Sequence, residues 1–227
     1  MKKEISLNPM FVIEGYGNAQ KKIKSFEERK VFLESEHGDL IELKLVDVLV
    51  GEKKLMQAIF KPAISLKKNT IYYLSYDNQT KEEKKFELVR WTYSPTNRER
   101  VQWRTSNLSK NKPLSKNINF IYSRNTFSDY DHTESANAIF LIKNKSSSIY
   151  WVKTEVVSTI TNVSTVYYLY LNETDEKLSV GHNICSGAFN YSIEGRYKVR
   201  FTPMNLDGDS IGTTEWYSYD NPKSRKD

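Results

Sequence analysis

Tyr197-Lys198-Val199-Arg200-Phe201 places three apolar side chains at one parity and two cations at the other. In a strand, successive side chains point to opposite faces, so this pentapeptide has one buried and one wetted face. That is the signature of a half-buried antiparallel strand. Asn205-Leu206-Asp207-Gly208-Asp209 follows it and supplies a turn, with Gly208 free to take positive φ. The same kind of run, bounded by polar turns, recurs on both sides. Towards the C-terminus lies Thr213 to Tyr219. Towards the N-terminus lie Leu178 to His182, Thr165 to Leu171, Tyr150 to Val157, Ala138 to Lys143 and Ile118 to Ser123.

A second series occupies residues 10 to 93: Phe11 to Glu14, Val31 to Glu34, Ile41 to Val50, Leu55 to Lys61, Ile71 to Tyr76 and Phe86 to Tyr93. This spacing of short strands suits a sandwich. Within Ile41 to Val50 the apolar parity switches, from Ile41, Leu43 and Leu45 to Val46, Val48 and Val50. The switch implies a β-bulge or a strand covered on both faces. Asn18 to Arg29, with Ile23 and Phe26 three apart, is the helix candidate of this half.

Between the two series, Pro95 to Asn117 is polar and holds Arg98, Arg100, Arg104, Lys110, Lys112 and Lys116 against Glu99 alone. This segment carries five of the six net positive charges of the chain. It reads as a boundary, which divides the chain into residues 1–94, a basic connector at 95–117 and residues 118–227. Val101 and Trp103 alternate with polar neighbours, so part of the connector also fits a closing strand of the first half. A length of 227 residues accommodates two domains of ordinary size. The expected fold class is therefore all-β, two antiparallel β-sandwich domains in tandem.

Two tyrosines strengthen that expectation. Leu66-Lys67-Lys68-Asn69-Thr70-Ile71-Tyr72 and Tyr191-Ser192-Ile193-Glu194-Gly195-Arg196-Tyr197 each lead a polar turn into a strand through Tyr. This resembles the tyrosine corner of immunoglobulin-like and fibronectin type III-like sandwiches, in which a Tyr hydroxyl bonds back to upstream backbone. The resemblance implies a fold and no activity. Val180-Gly181-His182-Asn183-Ile184-Cys185-Ser186-Gly187-Ala188-Phe189 and Asn8-Pro9-Met10-Phe11-Val12-Ile13-Glu14-Gly15-Tyr16-Gly17 resemble uncharacterised exported proteins of Bacteroidetes-type bacteria. That likeness implies an extracytoplasmic location and a leader absent from this chain. Met1 to Pro9 lacks the apolar stretch of an intact signal peptide. No window of 18 apolar residues exists, so no transmembrane helix is expected. The single Cys185 rules out an intramolecular disulfide and leaves the compartment open. Six Asn-x-Ser/Thr triplets, at Asn78, Asn107, Asn144, Asn162, Asn172 and Asn190, are what chance provides in so polar a chain.

Candidate chemistry is sparse. Three histidines limit catalysis and metal binding. His37 falls in a charged turn. His182 and Cys185 have a His-x-x-Cys spacing but lack the second pair that tetrahedral zinc needs. As a nucleophilic dyad they lack an orienting third group. Asp129, Asp131 and Glu134 surround His132 in an expected loop, an oxygen-rich set of the kind that holds Ca²⁺. A solvated acidic loop accounts equally for those residues and is preferred. Asn205, Asp207 and Asp209 begin like a calcium loop, but Trp216 occupies the position of the bidentate Glu. No catalytic residue is assigned and no cofactor is expected beyond Ca²⁺.

Arg98, Arg100, Trp103 and Arg104 are the partner-binding candidates, because an aromatic ring among cations suits base stacking with phosphate contact. An amphipathic strand with long cations outside is the preferred account of them. Nucleic acid is accordingly the lesser expectation, as is a glycoside hydrolase built on two of the 28 acids. The leading expectation is a non-catalytic module that presents loops or a sheet face to a protein or glycan partner.

Overall fold

The computed structural model describes residues 4–86, 89–91, 98–106, 114, 117–131, 133–145, 151–172, 174–192 and 194–224, with backbone alone at 84–86, 89–91, 98, 99 and 130. The chain is all-β: 55% of it is strand and 6% helix, so the two short helices are attachments to sheets.

In chain order the first half contains β1 (Glu4–Ile5), β2 (Phe11–Tyr16), a 3-10 turn (Gly17–Ala19), α1 (Gln20–Ser25), β3 (Val31–Ser35), β4 (Leu40–Val50) and β5 (Leu55–Pro62). It continues with β6 (Ile71–Tyr76), α2 (Lys81–Phe86), β7 (Val89–Trp91), β8 (Arg98–Arg100) and β9 (Gln102–Thr105). Seven of these strands make one sheet in the order β1-β9-β6-β3-β4-β5-β2, while β7 and β8 pair as a separate ribbon. A single sheet replaces the two facing sheets expected of this half. It still encloses a core, because it curls until its margins meet. Phe11 on the marginal strand β2 packs edge-on against Trp103 of β9, with ring centroids 5.0 Å apart. The bulge that the parity switch implied allows this curl. Register slips between Leu45 and Asp47, opposite Phe60 and Ile59, and Val46 is expelled to solvent.

Helix α1 closes the open end of the curl. Ile23 and Phe26 are buried, and Phe26 meets Phe60 and Tyr76 edge-on at 5.8 and 5.5 Å. Gly15 permits that approach, since a Cβ there would lie 2.6 Å from Ile23 Cγ1 and 2.7 Å from the Ala19 carbonyl. The strand expected over Phe86 to Tyr93 is α2 up to Phe86 and β7 over Val89–Trp91, with 87–88 and 92–93 outside the described residues. Its physical reason is a capping box. Thr80 Oγ1 accepts from the Glu83 N–H at 3.1 Å, and Glu83 Oε2 accepts from the Thr80 N–H at 2.7 Å.

The second half contains β10 (Asn119–Tyr130), β11 (Thr133–Lys143), β12 (Trp151–Ser158), β13 (Ser164–Tyr170), β14 (Lys177–His182), β15 (Arg196–Met204) and β16 (Tyr217–Asp220). Here two sheets face each other, β10-β11-β14 against β13-β12-β15-β16. Phe120, Ala138, Phe140 and Val180 from one sheet meet Val152, Tyr197, Val199 and Phe201 from the other in one core. Tyr197, Val199 and Phe201 point into it, as their parity requires, while Arg200 stays on the outer face against Glu155 at 2.6 Å. The final strand is shorter than Thr213 to Tyr219, being confined to Tyr217–Asp220. The two cores hold no residue in common, and β9 belongs wholly to the first.

At Tyr72 the corner hydrogen bond is made: its buried hydroxyl accepts from the Lys67 N–H at 2.9 Å. In the second half the back-bond comes from Tyr191, whose hydroxyl donates to the Val180 carbonyl at 2.7 Å. Replacing Tyr72 by Phe removes an acceptor from a turn N–H while leaving the ring in place. The expected loss is about 1–2 kcal/mol of unfolding free energy, read by urea denaturation with an unchanged m-value.

Candidate functional site

Leu55-Met56-Gln57-Ala58-Ile59-Phe60 is an apolar run interrupted by one amide, and residues 57 to 60 are all buried. Ala58 and Phe60 face the first core. Gln57 and Ile59 face the opposite way, and what covers them is the second half of the chain. Ile59 packs with Met10 and Tyr168 in a small apolar cluster joined by Val12, Leu49, Trp151 and Met204.

Gln57 does there what a neighbouring strand would do. Its Nε2 donates to the Tyr168 carbonyl at 2.9 Å, and its Oε1 accepts from the Tyr168 N–H at 3.1 Å. One side-chain amide thus occupies both outward backbone groups of a residue on β13, the free margin of the four-stranded sheet. Backbone pairing secures the seam at both ends. The Met10 N–H donates to the Leu206 carbonyl at 2.7 Å, and Lys53 and Gly187 exchange two N–H···O bonds at 3.1 Å. Gly187 is required there, because a Cβ would sit 2.0 Å from His182 Cβ. The Glu52 carboxylate accepts from the Asn190 N–H at 2.7 Å and from the Thr165 hydroxyl, and Ser6 bonds Asp207.

Beside the seam lies a slot of about 720 Å³ whose lining comes from both halves. This falls within the ordinary range of ligand pockets. It is bounded by three free sheet margins: β2 of the curled sheet, and β13 and β14 of the sandwich. The direction of the backbone groups follows from the alternation of antiparallel pairing. Met10 bonds outwards to Leu206 and Gly17 inwards to Lys54, so Val12 and Glu14 present their N–H and C=O outwards. The Gly181 carbonyl accepts from the Phe189 N–H on the outer side of β14, so Ser179, two residues earlier, also faces outwards. None of the outward groups of Val12, Glu14 and Ser179 has a hydrogen-bond partner among the described residues.

Aromatic side chains dominate one wall, where Trp151 and Tyr170 stack edge-on at 5.2 Å beside Tyr168. Across the middle, Glu14 Oε2 accepts from the Tyr167 hydroxyl at 2.9 Å and from Gln57 Nε2 at 3.1 Å. Burial and the adjacent carboxylate push the Tyr167 hydroxyl far up, so it remains a donor throughout the physiological range. At the far end His182 is 1% exposed, with the Lys53 ammonium 3.1 Å from Nδ1 and Glu134 Oε1 3.9 Å from Nε2. The Asn183 carbonyl is also 3.1 Å from Nδ1, and that nitrogen cannot both accept from the ammonium and donate to the carbonyl. Burial, reinforced by Lys53 and Lys223, holds the imidazole pKa below its usual 6.5, so it is neutral at pH 7. Lys223, at 2.6 Å, keeps Glu134 below its usual range. Neither the Trp151 indole N–H nor His182 Nε2 has a hydrogen-bond partner among the described residues.

The residues singled out in the sequence are distributed differently. Arg98 begins β8 and pairs with Trp91 through backbone. Arg100 bonds Glu34 at 2.9 Å and lies over the Tyr73 ring at 4.6 Å. Arg104 is exposed on the outer face of β9, whereas Trp103 is turned inwards against Phe11. The Trp103 ring and the Arg104 cation therefore occupy opposite faces of β9, the amphipathic arrangement, and the buried indole offers no stacking platform beside Arg104. The expected acidic loop is the tip of the long β10–β11 hairpin, where Asp129 pairs with Glu134 and Asp131 takes φ 48° in the turn. His132 lies outside the described residues. Glu134 is engaged by Lys223, and among the described residues no three His, Cys, Asp or Glu side chains gather as metal ligands. Cys185 is exposed and His182 buried. Asn205 Oδ1 accepts from the N–H groups of Asp207 and Asp209, both at 2.9 Å, which closes a hairpin turn. Glu14, Lys53, Gln57, Trp151 and Tyr168 were not singled out in the sequence. The lone amide within the apolar run Leu55 to Phe60 was the signal for Gln57.

No protein-family model matches the chain, and no curated protein matches it. Among solved structures it is similar to a pullulanase from Anoxybacillus sp. LM18-11, crystallised with maltotriose, at 8% identity and a TM-score of 0.29. That alignment covers 96% of this chain and 24% of the pullulanase chain, so this chain spans about a quarter of that protein's length.

Two outcomes follow from the seam. Gln57→Leu strands both polar groups of Tyr168 and should cost about 2–4 kcal/mol, with the two halves then melting at separate temperatures in calorimetry. His182 binds a proton less readily folded than unfolded, so stability should fall as the pH drops from about 7 to about 5.5. His182→Gln should flatten that dependence in denaturation curves across the range. The Glu134 contribution is lost only lower, below about pH 4.5.

Proposed function

We propose that this protein is a non-catalytic binding module whose ligand site is the slot between its two β halves, with a protein or glycan as the partner. The observation that carries this reading is the pairing of a roomy, aromatic-walled slot with polar groups that have no partner at its rim. Trp151 Nε1, His182 Nε2 and the outward backbone of Val12, Glu14 and Ser179 are such groups. Buried polar groups are ordinarily satisfied, so the buried, unpartnered Trp151 Nε1 and His182 Nε2 beside a cavity point to a ligand, while the backbone groups of Val12, Glu14 and Ser179 are open to it at the more exposed rim.

Glu14 is the one carboxylate among the described residues lining the slot, and it is bonded to Tyr167 and Gln57. Glycoside hydrolysis needs two carboxyls about 5–10 Å apart, and the slot supplies half of that pair. Placing Trp103 in the core weighs against nucleic acid as the partner. We further read the second half as an immunoglobulin-like or fibronectin type III-like domain. Its support is seven strands arranged three against four, with a buried Tyr hydroxyl bonded back to a strand carbonyl. Export from the cytoplasm is part of the same proposal and rests on sequence resemblance. No helix among the described residues is long and apolar enough to cross a membrane.

The test compares the wild-type protein with Ser179→Trp, which fills the slot from β14. Ligands from a mixed library of oligosaccharides and peptides that raise the wild-type melting temperature should leave the variant unshifted. Turnover of any glycan or peptide by the purified protein, abolished in Glu14→Gln, would contradict the non-catalytic reading.

A further inference from the structure

The slot's rim has a specific chemical form. Val12 and Glu14 on β2 and Ser179 on β14 present outward N–H donors and C=O acceptors alternately along sheet margins, the pattern that an extended polypeptide matches group for group. A carbohydrate offers hydroxyls without that alternation. The existing seam supplies the precedent within the molecule. At one end of the slot β2 already continues into a backbone bond with Leu206, and at the other the Lys53–Gly187 pair closes a two-bond ladder. In between, a side-chain amide satisfies Tyr168 in the manner of a strand. The unfilled stretch is therefore continuous with an interface built by edge pairing.

Charge specifies the occupant further. With His182 neutral, Glu14 supplies the only charge among the described lining residues. Its Oε2 accepts two hydrogen bonds, and its Oε1 has none among the described residues. Val12, two residues along on the same face of β2, and Met10 and Trp151 of the seam cluster line the slot with it. We propose that the slot captures an extended peptide segment as an added strand along β2, with a Lys or Arg side chain against Glu14 between apolar neighbours. This rests on the slot being the ligand site.

The test titrates the full-length, isotope-labelled protein with blocked pentapeptides and follows its amide resonances. The probes are acetyl-Ser-Val-Lys-Val-Ser-amide, its counterpart with Glu at the centre, the Lys peptide N-methylated at both Val residues, and cellotriose. The Lys peptide should shift the amides of Val12, Glu14 and Ser179. It should bind about tenfold more tightly than either the Glu or the N-methylated peptide, the scale of one charge-assisted contact or one pair of backbone bonds. Glu14→Gln should remove the preference for Lys over Glu. If that variant does not fold, the N-methylated comparison on the wild-type protein decides alone. Equal affinity of the methylated peptide, or no shift at these amides up to millimolar Lys peptide, overturns strand addition. Cellotriose shifting slot residues while the peptides do not would overturn the peptide and keep the site. Silence from all four probes overturns both.

Discussion

A sheet margin buried against another domain must have its N–H and C=O groups answered, because each unpaired buried group costs about 1–3 kcal/mol. In this protein the answer at the centre of the seam is a single amide. Gln57, itself buried among apolar neighbours, satisfies the donor and the acceptor of Tyr168 at once. Without that match β13 could not lie across β5, Ile59 would be bare, and the margins of β2 and β14 would not converge. The slot exists because those three margins are brought together and only part of their backbone is paired across the gap.

The two halves reach closed cores by different routes. In the second, seven strands divide into facing sheets and the alternation of side chains does the rest. In the first, one sheet curls on itself around Phe11 and Trp103, with the bulge at Val46 re-aiming β4 and α1 sealing the gap. The bulge has a second use: beyond it Leu49 turns to the seam, where it joins the cluster of Met10, Ile59 and Tyr168. A device for curvature is also a device for docking.

Strand content and much of the strand placement were legible because period-two alternation is a local property, as Tyr197 to Phe201 illustrates. The parity switch in β4 and the helical pair Ile23 and Phe26 were legible for the same reason. Sheet membership was not, since whether β4 ends one sheet or bends through it depends on partners distant in sequence. Helix α2 was missed although Thr80 and Glu83 stand at capping-box spacing, because the apolar run that follows looked like a strand. For the site, loop chemistry pointed away from the slot. The acids around Asp131 belong to a hairpin tip, and Trp103 left its arginines for the core. Glu14, Gln57 and Tyr168 gain meaning only from one another, at separations of 43 and 111 residues. The isolated amide inside Leu55 to Phe60 was the one clue visible beforehand.

The account turns on Gln57 closing the margin of β13, and amide hydrogen exchange at Tyr168 tests that most directly. Among the described residues the Tyr168 N–H has no partner other than Gln57, so its exchange reports on the seam and not on either sheet. The structure requires this amide to exchange as slowly as those of the core strands β12 and β15, through unfolding that separates the halves. Exchange at the rate of an open sheet edge, with β12 and β15 still protected, would show that the halves are not joined through Gln57 and would remove the basis for the slot.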